Sequence, residues 1–526
     1  MALQYKEFGK VRAIRGCIVN VEGLKNCING QLIRFGFGTE GTIIGLDAND
    51  TQVLLIKETE PIKTGDVAVM TLEPFNTPVG DKFVGRITNV LGEAIDGLGP
   101  LPFDDYYPIF CDAPAILDRE IIKETLETGI KILDTIIPIG KGQRELILGD
   151  KMTGKTTIGS DIIVNQKGKG VICIYCAIGK SRMAINRVIN TLKKCGAFEY
   201  SIIVAAQAGS PPGQLYLAPY VSCSHGEWFM KQGKDVVVIF DDFTKHAWSY
   251  REISLLLGRP PGRESYPGDI FYLHSRMIER AAKMTKKFGG GSMTFLPIVE
   301  LLEGDITSYV ASNLVSMTDG QIYLSASLFG DGFKPAINVG LSVSRIGSKV
   351  QWPALKKYTK TLRLEYVQYE ELLRVSRLKA SGQSEESMST MKGGQILAEF
   401  LKQDKDDPVA MEAQILLFAA HSKKLLDELE PGELIKYKLG IYKYAQENNP
   451  EFLVKLREKK SVDDEMDKVI AQLITDYVNL LISQRPKEVL EEEVDVTKDA
   501  TISAASEESQ AGSATTTAAA GLAKKG

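Results

Sequence analysis

The strongest chemical signal in this chain lies near position 150. Gly149, Asp150, Lys151, Met152, Thr153, Gly154, Lys155 and Thr156 match G-x-x-x-x-G-K-[ST], and Thr157 follows them. The two glycines let a loop wrap with its amides turned inward, at a helix N-terminus that favours anions. Lys155 is spaced to reach the β- and γ-phosphates of a nucleotide, and Thr156 offers a hydroxyl to Mg²⁺. An apolar run at 145–148 precedes the loop and a helical pattern at 158–164 follows it, which is the context this motif requires. A second run, 236–240, ends on Asp241 and Asp242. A buried strand closing on an acid places a carboxylate beside a metal's water shell, and Asp241 is the better candidate because it comes first. The loop and the acid together predict a site for ATP or ADP with Mg²⁺.

The elements that must hold these residues can be read from pattern. Residues 1–75 show short runs at 11–21, 31–37, 41–46 and 52–56, separated by glycine and Asn/Asp turns, which suits a small β-barrel. Across 76–352, continuous apolar runs at 145–148, 171–175, 201–205 and 236–240 alternate with helical stretches. This predicts an α/β domain on a largely parallel, buried sheet. Across 353–485 the period becomes helical at 355–375, 393–401, 411–425 and 462–482. The tail 486–526 opens near an acidic run, turns Ala/Ser/Thr/Gly-rich and is expected to be disordered.

Composition narrows the functional classes. The chain has 526 residues, 44% hydrophobic and 25% charged, with a net charge of -4. An acidic balance without an aromatic-basic motif argues against nucleic acid as a partner. Seven irregularly spaced cysteines do not form a disulfide framework, and four scattered histidines do not suggest a metal centre. Cys173 and Cys176 form a C-x-x-C, but within an apolar run, so they read as core. No apolar run approaches the roughly 20 residues of a spanning helix, so membrane contact is expected only through partners. Polar clusters at 259–264, 266–269 and 289–292 fit either turns or interface loops.

With those residues in hand, the chain resembles the α subunit of F-type ATP synthases from about residue 8 to about 484. The most specific stretches are 138–149 (PIGKGQRELILG), 255–264 (LLLGRPPGRE), 266–276 (YPGDIFYLHSR) and 335–345 (PAINVGLSVSR). The resemblance implies a β-barrel crown, a RecA-like nucleotide domain and a C-terminal helical domain. It also implies a ring in which this subunit alternates with β-type catalytic subunits around a γ-type shaft, peripheral to the cytoplasmic side of a bacterial membrane. In that family the α subunit holds Mg-nucleotide unhydrolysed, so the isolated chain is expected to be inactive. By the same resemblance, Lys155 and Thr156 hold phosphate and Mg²⁺, Asp241 stands behind the metal, and Arg345 reaches into a neighbouring β site as an arginine finger. Phe329 and Pro335 fall where the family packs the adenine, and Gln403 falls near the base.

Several positions depart from the family pattern. Where catalytic subunits carry a water-polarising glutamate, and α subunits usually glutamine, this chain has Lys180. An ammonium cannot serve as a base, which agrees with non-catalysis. Lys180 is expected either to add charge near the γ-phosphate or to face a carboxylate such as Asp241. Lys151, Met152, Lys334 and Lys405 also replace the usual residues. The barrel pattern begins almost at once and a tail extends past the usual end. These features suggest a specialised F-type-like ATPase of the kind some wall-less bacteria carry, one of them tied to gliding, with additional subunits engaged through the ends. A self-sufficient catalytic ATPase of the export-apparatus kind competes with this reading, as does a RecA-like nucleic-acid translocase. The first would need a carboxylate at position 180.

Overall fold

The computed structural model describes residues 7–47, 50–378 and 385–485. Six antiparallel strands come first: Glu7–Arg15, Ile18–Glu22, Gln31–Arg34, Glu40–Leu46, Thr51–Lys57 and Val67–Pro74. They close into a barrel in which the first strand pairs with both the second and the sixth. Strand alternation splits their apolar residues between two surfaces. Val53 and Leu55 join Val11, Val19, Val21, Ile33, Ile43 and Met70 inside the barrel. Leu54 and Ile56 face the other way, into the core of the central domain. There the helix Pro212–Lys231 comes so close that a Cβ on Gly213 would stand 2.2 Å from the Leu55 carbonyl oxygen, and Gln214 donates to the Ile56 carbonyl at 2.9 Å.

The barrel departs from the sequence expectation in three places. Residues 11–21 are parts of two strands that fold back through a turn at Gly16, whose φ of 57° suits glycine. The strand expected to run to residue 37 stops at Arg34, because Gly36–Gly38 forms a 3₁₀ turn with Phe37 at φ 59°. Val67–Pro74, not expected as a strand, is the element that closes the barrel.

The central sheet runs in the order Val343–Ser344, Gly320–Leu324, Glu145–Gly149, Ser292–Glu300, Asp235–Asp241, Val171–Lys180, Ser201–Gln207, Arg86–Thr88. Its neighbours pair in parallel, except that Val343–Ser344 runs antiparallel to Gly320–Leu324 and Ala282–Lys283 runs antiparallel to Ser292–Glu300. Both faces are covered, which explains the continuous apolar runs. Ile147, Cys173, Tyr175 and Ile239 face the side packed by Ile158 and Ile162. Leu146, Leu148, Ile174, Cys176 and Phe240 face the side packed by Leu217 and Val221. Cys173 and Cys176, three residues apart on one strand, therefore lie on opposite faces of the sheet. The C-x-x-C is core, as its apolar setting implied.

Past Pro353 the fold is helical: Pro353–Thr359, Leu362–Leu378, Glu385–Leu401, Met411–Ser422, Pro431–Asn448, Pro450–Lys459 and Asp464–Ser483. Pro431–Asn448 and Pro450–Lys459 were not expected. Each has proline in its first turn behind a capping residue, Glu430 in one case and Asn449 in the other. Among the described residues no helix is long and apolar enough to cross a membrane. The tail expected at 486–526 lies outside the described residues.

Candidate functional site

The glycine-rich loop leaves the C-terminal end of the strand Glu145–Gly149 and enters the helix Lys155–Val164. The two glycines are required for different reasons. A Cβ on Gly149 would stand 2.6 Å from the Leu324 carbonyl oxygen, so a neighbouring strand excludes any side chain there. Gly154 turns with φ 99°, a left-handed conformation that costs other residues energy, and so delivers the backbone into the helix. The loop is braced from within and without: Thr153 Oγ1 donates to the Asp150 carbonyl at 2.8 Å, and Asp150 Oδ1 accepts from Gly304 N at 2.7 Å. Lys151 and Met152 are exposed at its crest, and Thr157 is half-buried in the first helical turn. Lys155 folds back on the loop, donating to the Gly149 carbonyl at 2.8 Å and to the Asp150 carbonyl. Burial lowers its pKa, so an incoming phosphate would restore a favourable partner for its charge.

Facing Lys155 is a group that sequence reasoning assembled only in part. Asp241, 1% exposed, accepts from Thr156 Oγ1 at 2.6 Å and from the Tyr175 hydroxyl at 2.8 Å, both on Oδ2. Burial raises the Tyr175 pKa well above its ordinary value and the charge of Asp241 raises it further, so the phenol keeps its proton and donates. Lys180, at the end of the strand Val171–Lys180, sets its Nζ 2.6 Å from Asp241 Oδ1 and 3.0 Å from Asp242 Oδ2. Beyond these ion pairs, the two carboxylate oxygens have no hydrogen-bond donor among the described residues. Burial disfavours the Lys180 charge, but the two carboxylates outweigh it and raise the lysine pKa. Burial pushes the Asp242 pKa up, against the pull of Lys180.

This geometry bears on Mg²⁺. Thr156 and Asp241 are hard oxygen donors of the kind that ion takes. Yet the remaining oxygen of Asp241 already faces an ammonium held by two buried carboxylates. As arranged, both oxygens of Asp241 already have partners, so the residue has none free for direct contact with a metal.

Other predicted residues fall on two ends of the sheet. Phe329 lies in the short helix Ala326–Gly330, which begins where Leu324 pairs with Gly149, so it shares an edge with the phosphate loop. It is exposed, with Lys334 Nζ 5.2 Å from its ring centroid, and Pro335 follows that lysine. The Gln403 amide is occupied by the protein itself. Its Nε2 donates to the Gly129 carbonyl at 2.8 Å and the Asp407 carbonyl at 2.7 Å, its Oε1 accepts from Lys131 N at 3.0 Å, and its backbone N donates to the Lys334 carbonyl at 2.8 Å. It braces the wall carrying Pro335 and holds no free group toward a base.

Arg345 stands at the opposite end. Ser344 pairs with Gly320, the start of a strand whose end, Leu324, meets the loop. Arg345 is held by its backbone, its N donating to the Asp319 carbonyl at 2.9 Å. Arg144 fixes Asp319 in turn through a bidentate pair at 3.0 and 2.7 Å. The Ser344 hydroxyl donates to the Pro138 carbonyl at 2.9 Å and accepts from Gln143 Nε2 at 3.0 Å. The Arg345 side chain is exposed and forms no hydrogen bond or ion pair with a described residue. Sequence reasoning missed Tyr175 and the Arg144–Asp319 pair, and ranked Asp242 below Asp241 as the acid ending the strand. Tyr175 and the Arg144–Asp319 pair carried no signal readable from spacing alone.

Comparison with known proteins gives matches along most of the sequence. Residues 129–344 match the model of the nucleotide-binding domain of the ATP synthase alpha/beta family, and residues 351–477 match the model of the C-terminal domain of ATP synthase alpha/beta chains. The ATP synthase subunit alpha of Clostridium botulinum (strain Kyoto / Type A2) is 44% identical over 477 residues, covering 90% of this chain and 94% of the relative. That of Clostridium botulinum (strain Eklund 17B / Type B) is 43% identical over 476 residues, with the same coverage.

Proposed function

The chain belongs to the ATP synthase alpha/beta family, and from that premise we propose that it is an α-type subunit of a rotary F-type ATPase that holds a nucleoside triphosphate without hydrolysing it. The observation that carries the non-catalytic reading is Lys180. It ends the strand from which a catalytic subunit would aim a carboxylate at the attacking water, and it offers an ammonium bound to Asp241 and Asp242. A protonated amine accepts no proton, so hydrolysis at this loop lacks its base.

In this reading the subunit's own groups bind and position. The loop amides and the N-terminus of Lys155–Val164 cradle the phosphates, Lys155 leaves the loop carbonyls for a phosphate oxygen, and Phe329 and Pro335 border the base. Arg345 acts on a neighbour. It lies at the far end of the sheet from its own loop, exposed and held by backbone, which suits a guanidinium that stabilises phosphoryl charge in an adjacent β-type site. The partners are β-type subunits in an alternating hexamer, a γ-type shaft and further complex-specific subunits, with the assembly peripheral to the cytoplasmic face of a membrane.

The test compares the isolated subunit with the assembled complex. Alone, it binds a nucleoside triphosphate in a manner abolished by Lys155→Ala and shows no turnover; turnover appears when the β-type partner is added. Steady hydrolysis by the isolated subunit, free of partner, refutes the reading and favours a self-sufficient catalytic ATPase.

A further inference from the structure

We infer that Lys180 serves this nucleotide site as a built-in counter-cation, so that the subunit holds a metal-free nucleoside triphosphate where a divalent ion would otherwise be required. The inference rests on the reading of residues 149–156 as a phosphate cradle.

The argument begins with what the acid after the strand Asp235–Asp241 is for. In a P-loop site, a carboxylate there and the hydroxyl of the Ser/Thr after the P-loop lysine position a divalent ion that neutralises phosphate charge. Here the Thr156 hydroxyl is in place and bonded to Asp241 Oδ2, and Tyr175 fixes the same oxygen from the sheet side. The remaining oxygen, Oδ1, faces an ammonium at 2.6 Å. That ammonium is anchored a second time by Asp242 at 3.0 Å, and both acids are 1% exposed. Lysine carries three N–H donors and no acceptor. With two directed at the carboxylates, one remains, and the Lys180 side chain is 21% exposed. It is thus partly open beside the loop that Lys155 shares.

Charge balance points the same way. Lys155, Lys180, Asp241, Asp242 and the neighbouring Glu300 sum to minus one, whereas a neutral residue at 180 would leave the cluster at minus two. A cluster made less negative attracts a dication less, and a second lysine beside the loop supplies phosphate neutralisation without one. An ammonium is a point charge rather than a planar fork, so it suits the place of a spherical ion.

The test uses the assembled complex, stripped of nucleotide and titrated with a fluorescent ATP analogue in Mg²⁺ or in EDTA. The same titration with Lys155→Ala in this subunit isolates the relevant site by difference. The expected result is that the Lys155-dependent sites bind in EDTA within about threefold of their affinity in Mg²⁺. Lys180→Gln should weaken binding in EDTA by tenfold or more, with Mg²⁺ restoring it. Loss of the Lys155-dependent sites in EDTA for the wild-type complex overturns the inference while the cradle reading stands. Equal metal dependence of wild type and Lys180→Gln does the same. Binding that is insensitive to Lys155→Ala in both buffers refutes the cradle reading and the inference together. The wild-type arm decides the matter even if Lys180→Gln does not assemble. Mn²⁺ in place of Mg²⁺ gives a second readout: paramagnetic resonance should find no Mn²⁺ bound with nucleotide at the Lys155-dependent sites.

Discussion

Replacing Arg345 with alanine separates the two ends of the central sheet. The perturbation is local: the side chain is exposed, and the contact that holds the residue is its backbone N–H to the Asp319 carbonyl, which alanine keeps. The fold should lose no more than about 0.5 kcal/mol. Nucleotide binding by this subunit should also be untouched. Four residue steps along Gly320–Leu324, at about 3.3 Å each, place at least about 13 Å of strand between Arg345 and the phosphate loop. The loss should appear in the assembled complex, as a fall in kcat of about 10³–10⁵, equivalent to about 4–7 kcal/mol of transition-state stabilisation. Arg345→Lys should recover little, because an ammonium cannot reproduce the planar fork. The assays are steady-state ATPase turnover of the complex, alongside nucleotide affinity at the Lys155-dependent sites. Turnover within tenfold of wild type refutes the role in trans. A parallel fall in this subunit's own nucleotide affinity refutes the geometry behind it.

Two further perturbations test the packing around the site. Arg280, 1% exposed, is bound by Glu227 at 2.6 Å and by the Ile109 carbonyl at 2.8 Å; Glu227→Ala strands a buried guanidinium and should cost about 3–5 kcal/mol in denaturant unfolding, a loss under about 1 kcal/mol contradicting the pairing. Lys131 is 2% exposed, and burial lowers its pKa to about 7, with Lys438 acting the same way and Asp407, Glu399 and Asp404 opposing. Between about pH 7 and the ordinary lysine value of 10.5 the unfolded state binds that proton and the folded state does not, so its contribution to stability rises with pH across that window. Lys131→Met should remove this rise, though it also gives up the Lys131 Nζ hydrogen bond to the Lys402 carbonyl at 2.7 Å; a variant whose unfolding curve keeps the wild-type pH dependence refutes it.

The residues proposed to hold phosphate were legible because their chemistry is local. Gly149, Gly154, Lys155 and Thr156 lie within eight positions, and strand and helix follow directly from the flanking apolar pattern. Asp241 was legible as the acid that ends a strand. What pattern could not supply was long-range geometry. Lys180 was expected either near phosphate or against a carboxylate, and only register resolves this: Ala177 pairs with Asp241, which brings the end of its strand beside both acids. Gln403 was placed near the base by its resemblance, yet its amide satisfies three backbone groups, two of them more than 270 residues away. The barrel showed the limit of local reading in another form. Val67–Pro74 lacks a clean alternating signal, and closure of the sheet defines it as a strand.

The Gln403 contacts have a mechanical meaning. One side chain and one backbone amide join residues 129–131, Lys334 and Asp407 to the end of the helix Glu385–Leu401. They act as a rivet across the seam where a hinge between the nucleotide domain and the helical bundle would have to flex. A push on the bundle is therefore not absorbed by bending at that seam; it arrives as torque on the segment that carries Lys334 and Pro335. Fastened in this way, the two domains would move together as one stiff strut rather than fold about that seam.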